Sequence, residues 1–138
     1  MILNLGYSFL QLWKEELMNW TFKEGLPIYT QLTEQIKLPI ASGAFKPGDQ
    51  IPPVRELAMD AGVNPNTMQR ALAELEREEL LYSVRTSGRF VTENRKRLDD
   101  LQKSLGRSFI EDMFENLKKL GMSDEDIIAA VQQYIKEE

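Results

Sequence analysis

The stretch "GVNPNTMQRALAEL", residues 62–75, decides how the chain is read. Gly62 and Val63 make a turn, and Asn64 is a favoured helix N-cap. Pro65 suits the first helical position, where its missing N–H would have had no intrahelical partner. Met68, Ala71, Leu72 and Leu75 then recur at steps of three and four, the inward stripe of a helix. Asn66, Thr67, Gln69 and Arg70 are left pointing elsewhere. A helix opened by polar residues after a Gly-Val turn becomes a helix-turn-helix when a short helix precedes it.

The preceding sequence supplies that helix. Residues 53–61 place Val54, Leu57, Ala58 and Ala61 on one face, with Pro53 in the first helical turn. Further upstream, Ile28, Leu32, Ile36 and Ile40 fall at steps of four over residues 27–42, and Gly43 is placed to end the helix. Pro39 breaks this pattern: an interior proline removes a backbone bond at a cost of about 3 kcal/mol, so a kink or early loosening is expected. Between the two helices, Pro47-Gly48-Asp49 has turn chemistry and Gln50-Ile51 reads as a very short strand.

Downstream, residues 80–84 and 89–92 are β-prone runs flanking Arg85-Thr86-Ser87-Gly88, a hairpin with a basic tip. A helix-turn-helix followed at once by such a hairpin is a winged helix. From about residue 94 to 120, Leu98, Leu101, Leu105, Phe109, Met113, Leu117 and Leu120 mark a long helix that Gly121 ends. Ser123 with Asp126 three residues later resembles a capping box, Asp replacing the usual Glu or Gln. Ile127, Ile128, Val131, Tyr134 and Ile135 give a second apolar face. A helical hairpin this short buries little by itself, so its stripe is expected to pack on the winged helix or on a second copy.

The expected fold is therefore mainly α with a small β-wing. It comprises an N-terminal extension over residues 1–24, a winged helix-turn-helix over 25–92 and a C-terminal helical dimerisation region over 93–138. The residues expected to dimerise it are Leu101, Leu105, Phe109, Met113, Leu117, Ile127 and Val131.

Composition narrows the chemistry. The 138 residues include neither Cys nor His. That removes disulfides, thiolate nucleophiles, the commonest general base and the commonest transition-metal ligand. No Gly-rich phosphate loop is present, so no enzyme activity, cofactor or metal is expected, and the acidic runs around Asp99 and Asp124 read as solvated faces and a cap. No apolar run reaches the ~18–20 residues that span a bilayer, and the opening MILNLGYSFLQLW lacks a basic start and a cleavage site. A cytoplasmic protein with no membrane partner is expected.

The net charge of −5 looks hostile to DNA until it is divided. Residues 18–92 carry 8 basic and 9 acidic side chains, whereas residues 93–138 carry 8 and 11. Residues 61–73 and 80–92 contain no acid at all, while holding Arg70, Arg85 and Arg89. Phosphate binding answers to this local field more than to the total.

The segments "LPIYTQLTEQI", "GAFKPGDQIPPVRELAMDAGVNPNTMQRALAELEREELL" and "SGRFV" resemble the GntR family of bacterial transcription regulators, over about residues 25–91. The short tail of "LKKLGMSDEDII" type looks like the YtrA subfamily, in which the tail mainly dimerises the protein. The resemblance implies a homodimeric, sequence-specific regulator, expected to repress its own operon, one that includes an ABC transporter, from an inverted-repeat operator in double-stranded DNA. A small-molecule effector at the dimer interface fits such a device, but no binding constellation points to any ligand.

In that family the Arg of "VRELA", here Arg55, and polar positions of the recognition helix, here Asn64, Asn66, Thr67 and Gln69, contact bases and phosphates. The wing tip, here residues 86–88 with Thr86 and Gly88, enters the minor groove. Arg55 offers a bidentate fork for guanine, the amides of Asn66 and Gln69 suit adenine, and Thr67 suits a phosphate near a helix N-terminus. Arg70, Arg85 and Arg89 are further candidate DNA contacts.

Four positions depart from the family pattern: Pro39 lies inside the first helix, Pro53 replaces a capping Ser, and Glu79 and Thr86 stand where Gly is usual. Glu79 matters most, because a residue with a side chain is disfavoured in a left-handed cap. A winged helix used as a protein-interaction module is the rival reading.

Residues 1–17 have two readings. The resemblance suggests a start near Met18, and the purine-rich codons of Lys14-Glu15-Glu16 can spell a ribosome-binding site, which makes residues 1–17 an over-extended gene start. Alternatively Leu10, Trp13, Leu17 and Trp20 form one face of an amphipathic helix.

Overall fold

The computed structural model describes residues 18–138. Both readings of residues 1–17 therefore lie outside the described residues. The described residues form two compact units, one up to residue 101 and the other over residues 102–138. The elements are α1 (Ile28–Ser42), α2 (Val54–Ala61), α3 (Pro65–Arg77), β1 (Leu81–Val84), β2 (Gly88–Val91), α4 (Arg95–Lys119) and α5 (Asp124–Glu137). Each sequence-predicted element is present, and the first turns of α4 belong with the first unit. Among the described residues no helix is long and apolar enough to cross a membrane.

The core of the first unit is built where the apolar stripes converge. Leu32, Ile36 and Ile40 of α1, Leu57 and Ala58 of α2, and Met68, Ala71, Leu72 and Leu75 of α3 are all buried. Phe45 and Ile51 from the intervening loop, and Leu80, Leu81 and Val91 from the wing, close it. Burying a side chain of this size stabilises by about 1.5–3 kcal/mol.

The helix ends follow from local chemistry. Asn64 caps α3 by accepting the Asn66 N–H at 2.7 Å. Both α2 and α3 end in the paired backbone bonds of a Schellman motif: Val63 N–H to the Ala58 carbonyl, and Leu80 N–H to the Leu75 carbonyl. Gly62 supplies the left-handed residue after α2, at φ 70°. After α3 that residue is Glu79, at φ 62°. The cap doubted from the sequence therefore forms without glycine, holding a strained backbone that costs roughly 1–2 kcal/mol.

Two proline expectations shift. The early loosening expected at Pro39 does not occur: α1 runs on to Ser42 with Pro39 buried inside it. Pro39 lies in the last turn, and its carbonyl accepts from the Phe45 N–H (3.0 Å) and the Ser42 hydroxyl (3.3 Å), so the end of the helix is closed around it. Pro53 is the N-cap of α2 rather than its first residue, and makes no side-chain cap bond.

The wing is an antiparallel pair with Leu81 opposite Val91 and Val84 opposite Gly88. Gln50 adds an isolated bridge to Phe90, and Ile51 N–H donates to the Arg89 carbonyl, so the short strand expected at Gln50-Ile51 is reduced to a bridge beside a two-stranded wing. Arg97 ties the start of α4 to the end of α3 by donating to the Glu78 carbonyl at 2.9 Å. Leu98 and Leu101 are buried within the first unit. Residues 18–26 lie along α1: Gln31 bonds the backbone of Lys23 and Leu26, Gln35 that of Thr21, and the Trp20 indole donates to Asp60 at 2.7 Å.

The second unit is a helical hairpin. Gly121 ends α4 at φ 82°, and Ser123 and Asp126 exchange both bonds of the capping box at the start of α5. The Ser123 backbone N–H, and after it the Ser123 hydroxyl, hold the Asp126 carboxyl below its usual range.

Candidate nucleic-acid interface

Of the residues singled out as DNA contacts, α3 presents Asn66, Gln69 and Arg70 on an exposed face, with Thr67 half-buried beside them. Arg55 is exposed in the first turn of α2, and no hydrogen bond or ion pair holds it among the described residues. Arg70 lies over the Tyr29 ring, 3.7 Å from its centroid, which steadies a long side chain at the rim of the α3 face. At the wing tip Arg85, Thr86 and Ser87 are exposed. Thr86 has φ 68°, a left-handed turn held without glycine.

Three of these residues also hold the structure together. Asn64 caps α3, its Oδ1 bound to the Asn66 N–H. Gly88 has φ 118°, and a Cβ there would lie 2.9 Å from the Gln50 Nε2, which itself donates to the Ser87 carbonyl at 2.5 Å. Glycine is thus required at this position to let Gln50 pin the wing tip. Arg89, expected to meet phosphate, is only 16% exposed and points inward to Glu76. Its Nη1 donates to Gln69 Oε1 at 3.3 Å.

Glu76 is the anchor of that cluster. Burial pushes its carboxyl up, but the Ser83 hydroxyl, donating at 2.6 Å, and the Arg89 guanidinium outweigh burial and hold it below the usual range. A second buttress joins α1 to the end of α3. Burial works to lower the Lys37 ammonium, yet Glu78 at 3.1 Å and Glu34 at 3.2 Å prevail and raise it. These pairs neutralise Glu76 and Glu78 at the C-terminal part of α3, Glu76 on the same side of the helix as Gln69.

The dimerisation set also divides. Leu101, at 4% exposure, is a core residue of the first unit and has no surface to offer a partner. Ile127 is buried, and Leu105, Leu117 and Val131 are half-buried. Phe109 and Met113 are exposed. Ile110, Leu120, Ile128, Tyr134 and Ile135 are exposed apolar residues missing from the set. Ile110 is legible in the sequence, since it stands four residues before Phe114 on a helical stripe flanking that of Leu105 and Phe109.

Residues 28–91 match the family described as "Bacterial regulatory proteins, gntR family". The chain is 33% identical over 117 residues to the HTH-type transcriptional regulator YhcF of Bacillus subtilis, covering 85% of this chain and 97% of that one. It is 43% identical over 74 residues to the HTH-type transcriptional repressor YtrA of the same organism, spanning 54% of this chain and 57% of YtrA. Among solved structures, a GntR family transcriptional regulator from Listeria monocytogenes superposes with a TM-score of 0.73 at 39% identity, covering 81% of this chain and 98% of that one. A transcriptional regulator from Oenococcus oeni gives 0.66 at 30% identity, covering 87% and 98%. These relatives are regulators and not enzymes. With its helix-turn-helix, two-stranded wing and helical tail, the chain belongs to the GntR family, as a DNA-binding transcription regulator of YtrA-like type.

Proposed function

We propose that the protein is a cytoplasmic homodimeric repressor of the operon that holds its own gene, together with an ABC transporter, acting at an inverted-repeat operator. The observation that carries this reading is the exposed polar face of α3, with Asn66, Gln69 and Arg70 uncovered inside a stretch free of acid. One such helix per copy enters a major groove, and the tip at Arg85, Thr86 and Gly88 reaches the neighbouring minor groove. Arg55 and Thr67 flank the helix as base and phosphate contacts, and Arg85 is a phosphate contact. The exposed Phe109, Met113, Ile128 and Tyr134 support pairing of two copies through the tail, which sets the spacing of the half-sites. The choice of operon follows the likeness to YtrA and no residue of the site.

Gel shift with DNA from upstream of the protein's own gene tests the proposal. Binding is expected to survive random competitor DNA, and binding that appears only at low salt and ignores sequence would overturn it. In the same assay Gln69→Ala is expected to relax operator preference by ~1–3 kcal/mol, whereas Arg85→Ala weakens operator and random DNA alike.

A further inference from the structure

Beneath the α3 face, four side chains join α3 to the wing. Ser83 and Arg89 both donate to Glu76 Oε1, and Arg89 also donates to Gln69 Oε1 at 3.3 Å. A guanidinium has donors only, so the end of the Gln69 amide turned toward it is the oxygen, whichever way the amide is first assigned. The other end, an NH2 carrying two hydrogens, is left for DNA. A glutamine reading adenine uses both ends, accepting from N6 and donating to N7. Here the oxygen is turned toward Arg89, with one of its two lone pairs taken, and the NH2 is the end left facing outward. Guanine presents two neighbouring acceptors, N7 and O6, and meets an outward NH2 without calling on the oxygen.

We propose that Arg89, braced by Glu76 and Ser83, is a positioning residue that makes Gln69 a hydrogen-bond donor to DNA, so that its operator position is read as guanine and not adenine. The inference rests on the DNA-reading function proposed above, and it gives Arg89 a role inside the protein in place of a phosphate contact.

Selection of the full-length protein on operator half-sites randomised base by base tests it. The unmodified protein is expected to select guanine at one position, and Gln69→Ala to lose that preference by about tenfold or more while other positions hold. Gln69→Glu, at an exposed site, retains acceptors only and should move the same position to cytosine, whose N4 donates. Arg89→Met frees the Gln69 oxygen and should move the position toward adenine, leaving affinity for random DNA within about twofold.

Adenine selected by the unmodified protein at the Gln69-dependent position overturns the proposal. So does an Arg89→Met protein that loses operator and random DNA equally with its base preference intact, the behaviour of a phosphate contact. Should Arg89→Met fail to fold, Gln69→Glu decides alone, and guanine preference retained there is again fatal. A protein that selects a sequence unaltered by Gln69→Ala sinks only this inference, whereas one that selects no sequence sinks the regulator reading itself.

Discussion

In the first unit the apolar stripes of three helices and the wing close on one another, leaving Leu32, Met68, Leu72, Leu75 and Leu80 without solvent contact. In residues 102–138 Ile127 alone is buried, while Phe109, Ile110, Leu120, Ile128, Tyr134 and Ile135 each remain more than half exposed. Both segments have strong helical periodicity and well-made caps. The difference shows that caps and periodicity decide whether a helix forms, whereas the number of faces meeting decides whether it is stable by itself. Two helices offer one shared seam, which leaves the outer apolar faces to be covered from elsewhere.

The largest effect that would break this contrast is in the core. Leu72→Ala should destabilise the winged helix by about 2–5 kcal/mol, read by chemical denaturation. A loss below 1 kcal/mol would mean that the first unit is packed as loosely as the tail. Phe109→Lys comes next: association should weaken by about 2 kcal/mol or more in sedimentation, with operator affinity falling alongside it. Denaturation of the first unit should stay within about 0.5 kcal/mol, because the side chain already faces solvent. An unchanged oligomeric state would remove Phe109 from the interface.

Smaller effects sharpen the account of the first unit. Glu79→Gly relieves a left-handed backbone at the end of α3, less the entropy that glycine adds to the unfolded chain, for a net gain of about 0.5–1 kcal/mol in unfolding free energy. A loss would show that the Glu79 side chain stabilises in some other way. Acid titration probes the anchor of the α3–wing cluster. The Glu76 carboxyl is held below its ordinary value, so its stabilisation is complete above the usual Glu range, near pH ~4.3, and is lost as pH falls through the folded value. The partly exposed pair limits this to under about 1 kcal/mol. Glu76→Gln should flatten that part of the pH–stability curve, and an unchanged slope would place the stabilisation elsewhere.

Much of this was legible in the chain itself. Asn64-Pro65 opens α3 because cap and first-turn chemistry act within three residues. Stripes at steps of three and four name the core of α3 because a helix repeats every 3.6 residues. The Ser123–Asp126 box and the turn at Gly121 are equally local. The sequence by itself thus determined the order of the elements, the helix-turn-helix and the basic hairpin, and with them the family.

Tertiary structure decided which of these residues are free to act. Arg89 reads from the sequence as an exposed wing cation, and its partners Glu76 and Gln69 lie 13 and 20 residues away, a relation no local pattern carries. Leu101 belongs to the same periodic stripe as Phe109, yet one is core and the other surface, because the winged helix covers only the first turns of α4. Periodicity states which side chains share a face of a helix. What that face meets, and so which end of the Gln69 amide is left turned outward, is settled only when distant segments pack.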